Sequence, residues 1–299
     1  MLLKAGGRRQ HTSKPFALNL WIPFEKSDHW STATDLLPTF LKNLEPFYTE
    51  LGLELPAAPD RFAPNFDEQI EALIAIKPAV FSFVYGIPSA KILAKCKQND
   101  IVTVGAATTV NEALALEAAG VDWIVASGFE AGGHRVSFLD SPERSLTGTF
   151  ALIPQVVDAV KIPVIAAGGI ADARGAAAAM ALGASGIQVG TAFLACQESA
   201  ASELHKLRLF QANAHDTALT KAFSGRMARG LHNRFMQAVD EVALAPYPVQ
   251  NWMVGQLKAA ALEQGRDDML ALWAGQGVGL LAHKQAALVF KELVRGITD

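Results

Sequence analysis

With 299 residues, 51% of them hydrophobic, the chain can bury a large core, enough for one α/β barrel or two smaller domains. A formal charge of −3, from 26 basic and 29 acidic residues, gives no reason to expect nucleic acid or an anionic membrane surface as partner, and no apolar run reaches the length of a membrane span. Cys96 and Cys196 lie far apart with no metal-type spacing, and Lys4, Arg8 and Arg9 are followed by no apolar signal segment, so a soluble cytoplasmic protein with reduced thiols and no metal site is expected.

The first expected strand is Phe16 to Trp21. Residues 23–64 read as an insertion rich in Pro and Glu, with a helix near Leu36 to Leu51; its Trp30, Phe40, Phe47 and Tyr48 are expected to pack rather than to bind a cofactor. Strands follow at Val80 to Val84 and Ile101 to Gly105. Thr109-Val110-Asn111-Glu112 has the form of a capping box, and the helix it opens stops at Ala119-Gly120 before the strand Trp123 to Ala126.

That strand runs directly into Ser127-Gly128-Phe129-Glu130-Ala131-Gly132-Gly133-His134-Arg135. A glycine-rich turn at the carboxyl end of a buried strand, holding a titratable imidazole, is where α/β folds place their chemistry. His134 is therefore the candidate catalytic residue. Glu130 reads as an acceptor that orients the loop, and His11, His29, His205, His215, His232 and His283 read as surface or packing residues.

Val164 to Ala167 is a short strand ended by Gly168-Gly169, and Asp172 stands at the cap position of the Ala-rich helix Ala173 to Leu182, which Gly183 terminates. The strand Gly186 to Val189 ends in the small turn Gly190-Thr191. Free N–H groups at such turns, backed by the positive end of a helix, suit a phosphate dianion, and two such units late in a β/α array match the phosphate site of barrel enzymes. From Glu198 onward the chain reads as largely helical, interrupted at 222–226 and 273–277, where Arg226 and Arg229 either meet an anion or form a solvated basic face. Strands linked by helices imply a parallel sheet, most simply a closed barrel.

Pro15 to Asn19, Gly128 to Arg135, Val164 to Ile170, Gln188 to Leu194 with Glu198-Ser199, Ser224 to Gly230 and Trp273 to Gly277 together resemble the nitronate monooxygenase family, formerly called 2-nitropropane dioxygenases. The resemblance implies an α/β fold, a TIM barrel holding FMN. It also implies oxidation of alkyl nitronates, or of nitroalkanes, by molecular oxygen to a carbonyl compound and nitrite. By motif, His134 corresponds to the catalytic histidine, and Asn19, Ser127, Gly132, Gly133, Gly168, Gly169, Gln188, Val189, Gly190 and Thr191 correspond to FMN contacts. It divides the chain into a barrel start at 1–22, the insertion at 23–64, a barrel core with the FMN site at 65–197, and a mainly helical cap at 198–299.

The chain departs from the family pattern at its start, where Pro15-Phe16 follows closely on Met1 and six barrel strands are visible instead of eight, so the barrel is expected to be incomplete at its N-terminus. Ser127 replaces a common glutamine, and Val136 replaces the glycine usual after His-Arg, which narrows the pocket. Two other readings follow from the same motifs: an FMN-dependent enoyl-thioester reductase using NAD(P)H, and a non-catalytic remnant. A homodimer is compatible with any of them.

Overall fold

The computed structural model describes residues 13–23, 36–239 and 242–298. Six strands, β1 (Ala17–Trp21), β2 (Val80–Val84), β3 (Val102–Ala107), β4 (Trp123–Ser127), β6 (Val164–Ala167) and β7 (Gly186–Gln188), form one sheet in the order β1-β2-β3-β4-β6-β7. Every pair in it is parallel, with Ala17 opposite Val80, Val80 opposite Val102 and Val104 opposite Trp123. These are the six strands expected from the sequence, and they form the wall of a (β/α) barrel that is open between β7 and β1 among the described residues.

The crossovers are helices, as parallel pairing requires. They are α2 (Phe66–Ile76), α3 (Ala90–Gln98), α4 (Val110–Ala118), α5 (Thr149–Ala159) and α6 (Ala173–Ala181), and α1 (Leu37–Glu50) precedes them. Side chains satisfy the first-turn amides where the sequence places caps: Asn65 accepts from Glu68 N, Thr109 from Glu112 N and Asp172 from Gly175 N. Glu112 departs from the reciprocal capping box, because its carboxylate accepts from Thr108 N and Thr108 Oγ1, both at 2.7 Å.

Strand alternation sorts the core into two layers. Phe81, Phe83 and Ile124 point outward and bury against Leu116, Leu152, Ile153 and Val156 of the helices. On the inner face stand Val104, Ala106, Val125 and Ala167, whose small side chains leave room at the carboxyl ends of the strands.

The remaining helices are α7 (Thr191–Leu194), α8 (Glu203–Gln211), α9 (Arg234–Val239), α10 (Val249–Glu263) and α11 (Ala286–Thr298). The insertion helix α1 shares a core with them: Leu44, Phe47 and Tyr48 pack with Phe235, Val249, Met253 and Leu257, and Tyr48 Oη donates to Met253 O at 2.6 Å. Phe40, Phe47 and Tyr48 are thus packing residues, while Trp30 lies outside the described residues. Helix α11 crosses the start of α6 at Gly296, where a side-chain carbon would stand 2.0 Å from Ala173 O. Gly296→Ala is expected to cost about 1–3 kcal/mol through forced separation of the two helices, read as a lower urea midpoint at unchanged m.

The mainly helical C-terminal region also carries strands that the sequence did not suggest. β5 (Gly133–His134), β8 (Thr217–Thr220) and β9 (Ala228–Leu231) form an antiparallel ribbon in the order β5-β9-β8. Strands of two to four residues carry too little alternation to be read from sequence. The ribbon ties the His134 loop to the C-terminal region, with His134 opposite Ala228 and Gly133 opposite Arg229.

Candidate active site

The His134 imidazole sits above the barrel mouth inside a ring of aromatic side chains. Its centroid lies 5.0 Å from that of Trp21 and 5.4 Å from that of Trp273, with Tyr85 at 6.4 Å. Nε2 is 2.7 Å from Ser224 Oγ, a hydroxyl that is itself buried. Burial, followed by the positive charges of Arg226 and Lys258, pushes the imidazole down to about 4, so it is neutral at physiological pH.

This shift has a consequence for stability. The unfolded chain protonates His134 near its ordinary value of about 6.5, while the folded chain stays neutral down to about 4. Folding stability is therefore expected to fall as pH drops through this window, by roughly 3 kcal/mol from this group alone. His205, buried with Nε2 on Trp273 O at 3.1 Å, is shifted in the same direction by burial and adds to the effect. Urea midpoints between pH 7 and pH 4 test this, and the slope is expected to be shallower in His134→Asn.

Buried charges hold the loop that carries His134. Arg135, 1% exposed, donates from Nη1 to Ser127 O at 3.0 Å and Gly128 O at 2.8 Å, and from Nη2 to Ser145 O at 2.6 Å. Glu112 accepts from Phe138 N at 2.6 Å and Leu139 N at 3.2 Å, fixing the chain just beyond the loop. Glu130 accepts from Thr149 N and Thr149 Oγ1, which is the loop-orienting role expected of it. Arg229 is neither an anion ligand in solvent nor part of a basic face: it is buried, with Nε donating to Phe129 O and Nη1 to Thr217 Oγ1. Arg226 lies with its guanidinium 4.2 Å from the Tyr85 ring centre.

Below His134 a cavity of about 330 Å³ opens at the ends of β4, β6 and β7. Of the residues singled out in the sequence, His134, Ser127, Gly132, Gly133, Gly168, Gly169, Gln188, Gly190 and Thr191 line it together. Asn19 and Val189 do not. Asn19 Nδ2 donates to Ser82 Oγ at 2.9 Å on the inner face of β1, and Val189 packs into the cluster around Ala176, Ala192 and Val289.

The glycines serve different ends. A side-chain carbon on Gly132 would lie 2.5 Å from Gly275 N, so Gly132 permits contact with the C-terminal segment. Gly133, at φ +79°, has open space where a side chain would stand. Gly168 and Gly169 turn the chain at φ +108° and +73°. The amides of Gly169 and Gly190 donate to no acceptor among the described residues.

Sequence reasoning placed the motif 273–277 in the cap and left it off the site. Trp273, Gly275 and Gly277 in fact form the far wall, held by Gly275 N donating to Thr191 Oγ1 at 2.9 Å and Gln276 N donating to Glu130 O at 2.8 Å. Val136 also faces the cavity, as does Ile170. The paired glycines of 273–277 were the available signal, but nothing local tells which wall they approach.

The sequence profile of the nitronate monooxygenase family matches residues 8–299. A probable nitronate monooxygenase of Staphylococcus aureus (strain Newman) is 40% identical over 295 residues, covering 97% of this chain and 82% of the relative. Among solved structures, the nitroalkane oxidase of Streptomyces ansochromogenes superposes with a TM-score of 0.89 at 34% identity, over 99% of this chain and 84% of that one. FabK of Thermotoga maritima follows at TM-score 0.74 and 28% identity, over 99% and 79% of the two chains. On a match that runs over nearly its whole length and places a histidine loop above a glycine-turned barrel mouth, the chain belongs to the nitronate monooxygenase family and is an oxidoreductase.

Proposed function

We propose that this chain oxidises alkyl nitronates, and the nitroalkanes from which they derive, with molecular oxygen at a bound FMN, releasing a carbonyl compound and nitrite. The observation that carries this reading is a neutral, buried imidazole on the wall of a cavity that ends in glycine amides with no acceptor among the described residues. Those features fit the cofactor. The cavity volume of about 330 Å³ lies within the range of small-molecule sites, and the small inner-face residues Ala106, Val125 and Ala167 line it with apolar surface. The amides of Gly169 and Gly190, with the Thr191 hydroxyl, are donors suited to a phosphate. When bound, FMN supplies the electron acceptor for the electron-rich nitronate.

The side chains do the rest. His134 is neutral, which favours proton removal from the α-carbon of a nitroalkane over ion pairing with a preformed nitronate. Trp21 and Trp273 flank the ring and keep bulk water from it. Arg226 and Lys258, whose positive charges act on His134, help to keep the ring neutral before it takes a proton.

The test is the visible absorption spectrum of the purified chain, with mass identification of any released chromophore, followed by nitrite release from 2-propylnitronate and from 1-nitropropane. Bound or reconstitutable FMN with nitrite production is the expected result. A protein that cannot take up FMN, or one that oxidises NADH or NADPH with an enoyl thioester and forms no nitrite, overturns the proposal.

A further inference from the structure

We infer that Ser224 is a positioning residue for His134: its hydroxyl holds Nε2 in the protonated tautomer and leaves the Nδ1 lone pair as the basic atom offered to the cavity. This rests on the reading of His134 as the base.

Three observations carry it. Nε2 lies 2.7 Å from Ser224 Oγ, whereas Nδ1 makes no hydrogen bond among the described residues. A ring that donates from Nε2 can take a proton only at Nδ1. Next, the single hydrogen of Ser224 has a backbone acceptor of its own, Arg226 O at 3.2 Å, while Arg226 N donates to Oγ at 3.3 Å. With that hydrogen committed to Arg226 O, Oγ presents a lone pair to the ring and accepts from Nε2–H.

Finally, Ser224 is 2% exposed, enclosed by its neighbours. The turn that carries it is tied by Gly225 N donating to Lys221 O at 2.8 Å. It is also wedged against the segment before α10, since a side-chain carbon on Gly225 would stand 2.3 Å from Ala245 O and 2.7 Å from Tyr247 N. His134 stands in the ribbon opposite Ala228, which also faces Thr220, and Ser224 lies in the turn that joins those two strands, β8 and β9.

The proton balance is simple. The α-carbon C–H bond of the nitroalkane breaks, its electron pair moves into the nitro group to give the nitronate, and the proton goes to Nδ1. The imidazolium so formed keeps Nε2–H on Ser224 Oγ, where the hydrogen bond strengthens as charge develops. Nothing is oxidised or reduced in this step.

The experiment is nitrogen-15 NMR of protein labelled at histidine, with the His134 signals assigned by their loss in His134→Gln. At pH 7 the wild-type ring is expected in the Nε2–H tautomer, and Ser224→Ala is expected to show an averaged tautomer mixture. In parallel, Ser224→Ala is expected to lower kcat on 1-nitropropane by about tenfold or more with KM little changed, and to leave turnover of 2-propylnitronate within about twofold. Ser224→Thr, which keeps the hydroxyl, is expected to restore most of the rate. A wild-type ring in the Nδ1–H tautomer overturns the proposal, as does equal loss of kcat on nitroalkane and nitronate. The spectrum needs neither substrate nor turnover, so absence of nitrite from wild-type enzyme counts against the proposed activity and leaves the spectrum to judge Ser224.

Discussion

His134→Asn is expected to lower turnover of a neutral nitroalkane by about 10²–10⁴-fold, the range for removal of a general base, while turnover of the preformed nitronate stays within a few-fold. The asymmetry follows from the charge state. An imidazole pushed down to about 4 contributes a lone pair at neutral pH and little positive charge, so a substrate that arrives deprotonated has small use for it. Asparagine still reaches toward Ser224 and leaves the glycine turns of the cavity untouched, so FMN content is expected to stay at the wild-type level. Steady-state rates on the matched pair of substrates, with the flavin spectrum as control, check this. Equal losses on both would show that His134 serves binding or charge compensation instead.

Arg135→Leu is expected to cost about 3–5 kcal/mol of folding stability, the range for removing one partner from a buried charged network. The guanidinium is brought down to about 10 by burial, opposed by Glu112 and Glu130, and so remains charged at neutral pH. Leucine would take the side-chain donor from the carbonyls of Ser127 and Ser145 and leave Gly128 O with Ala131 N alone, and a buried carbonyl left unpaired costs about 1–3 kcal/mol. It would also remove the nearby cation from the wholly buried Glu112. Arg135→Lys is expected to recover only part of the loss, because one ammonium cannot span the three carbonyls that the planar fork reaches. Urea unfolding of the three proteins measures it. A change below about 1 kcal/mol for Arg135→Leu would mean that the loop repacks without the cation.

Much of the site was legible because its chemistry is local to strand ends. The runs Trp123 to Ala126, Val164 to Ala167 and Gly186 to Val189 each end in a glycine-containing turn, and parallel pairing brings those ends side by side. Ser127, Gly168, Gly169, Gln188, Gly190 and Thr191 therefore line one cavity, as their positions after apolar runs imply. Asn19 looked equivalent, but it stands mid-strand opposite Ser82 and spends its amide there. Val189 is next to two wall residues, yet it packs into the apolar cluster beside the wall.

The partners of His134 were not legible. Ser224 is 90 residues away and meets the ring only because a two-residue strand pairs with β9. Trp273 and Gly275 reach the wall through Gly275 N on Thr191 and a bridge between Gly230 and Trp273, contacts that no periodicity announces. Arg229 illustrates the limit in the other direction: a basic residue near a glycine turn suggests an anion, but its side chain is buried and ties Phe129 O to Thr217 Oγ1.

The amino-acid order by itself determined the parallel α/β architecture, the helix starts at Thr109 and Asp172, and the histidine loop, because apolar runs, capping side chains and glycines act over a few residues. Whether the His134 ring is charged or neutral at physiological pH was decided only by the tertiary structure. Burial among Trp21, Tyr85 and Trp273, with Arg226 and Lys258 close enough to repel a further positive charge, sets that proton equilibrium, and those groups come from five separate parts of the chain.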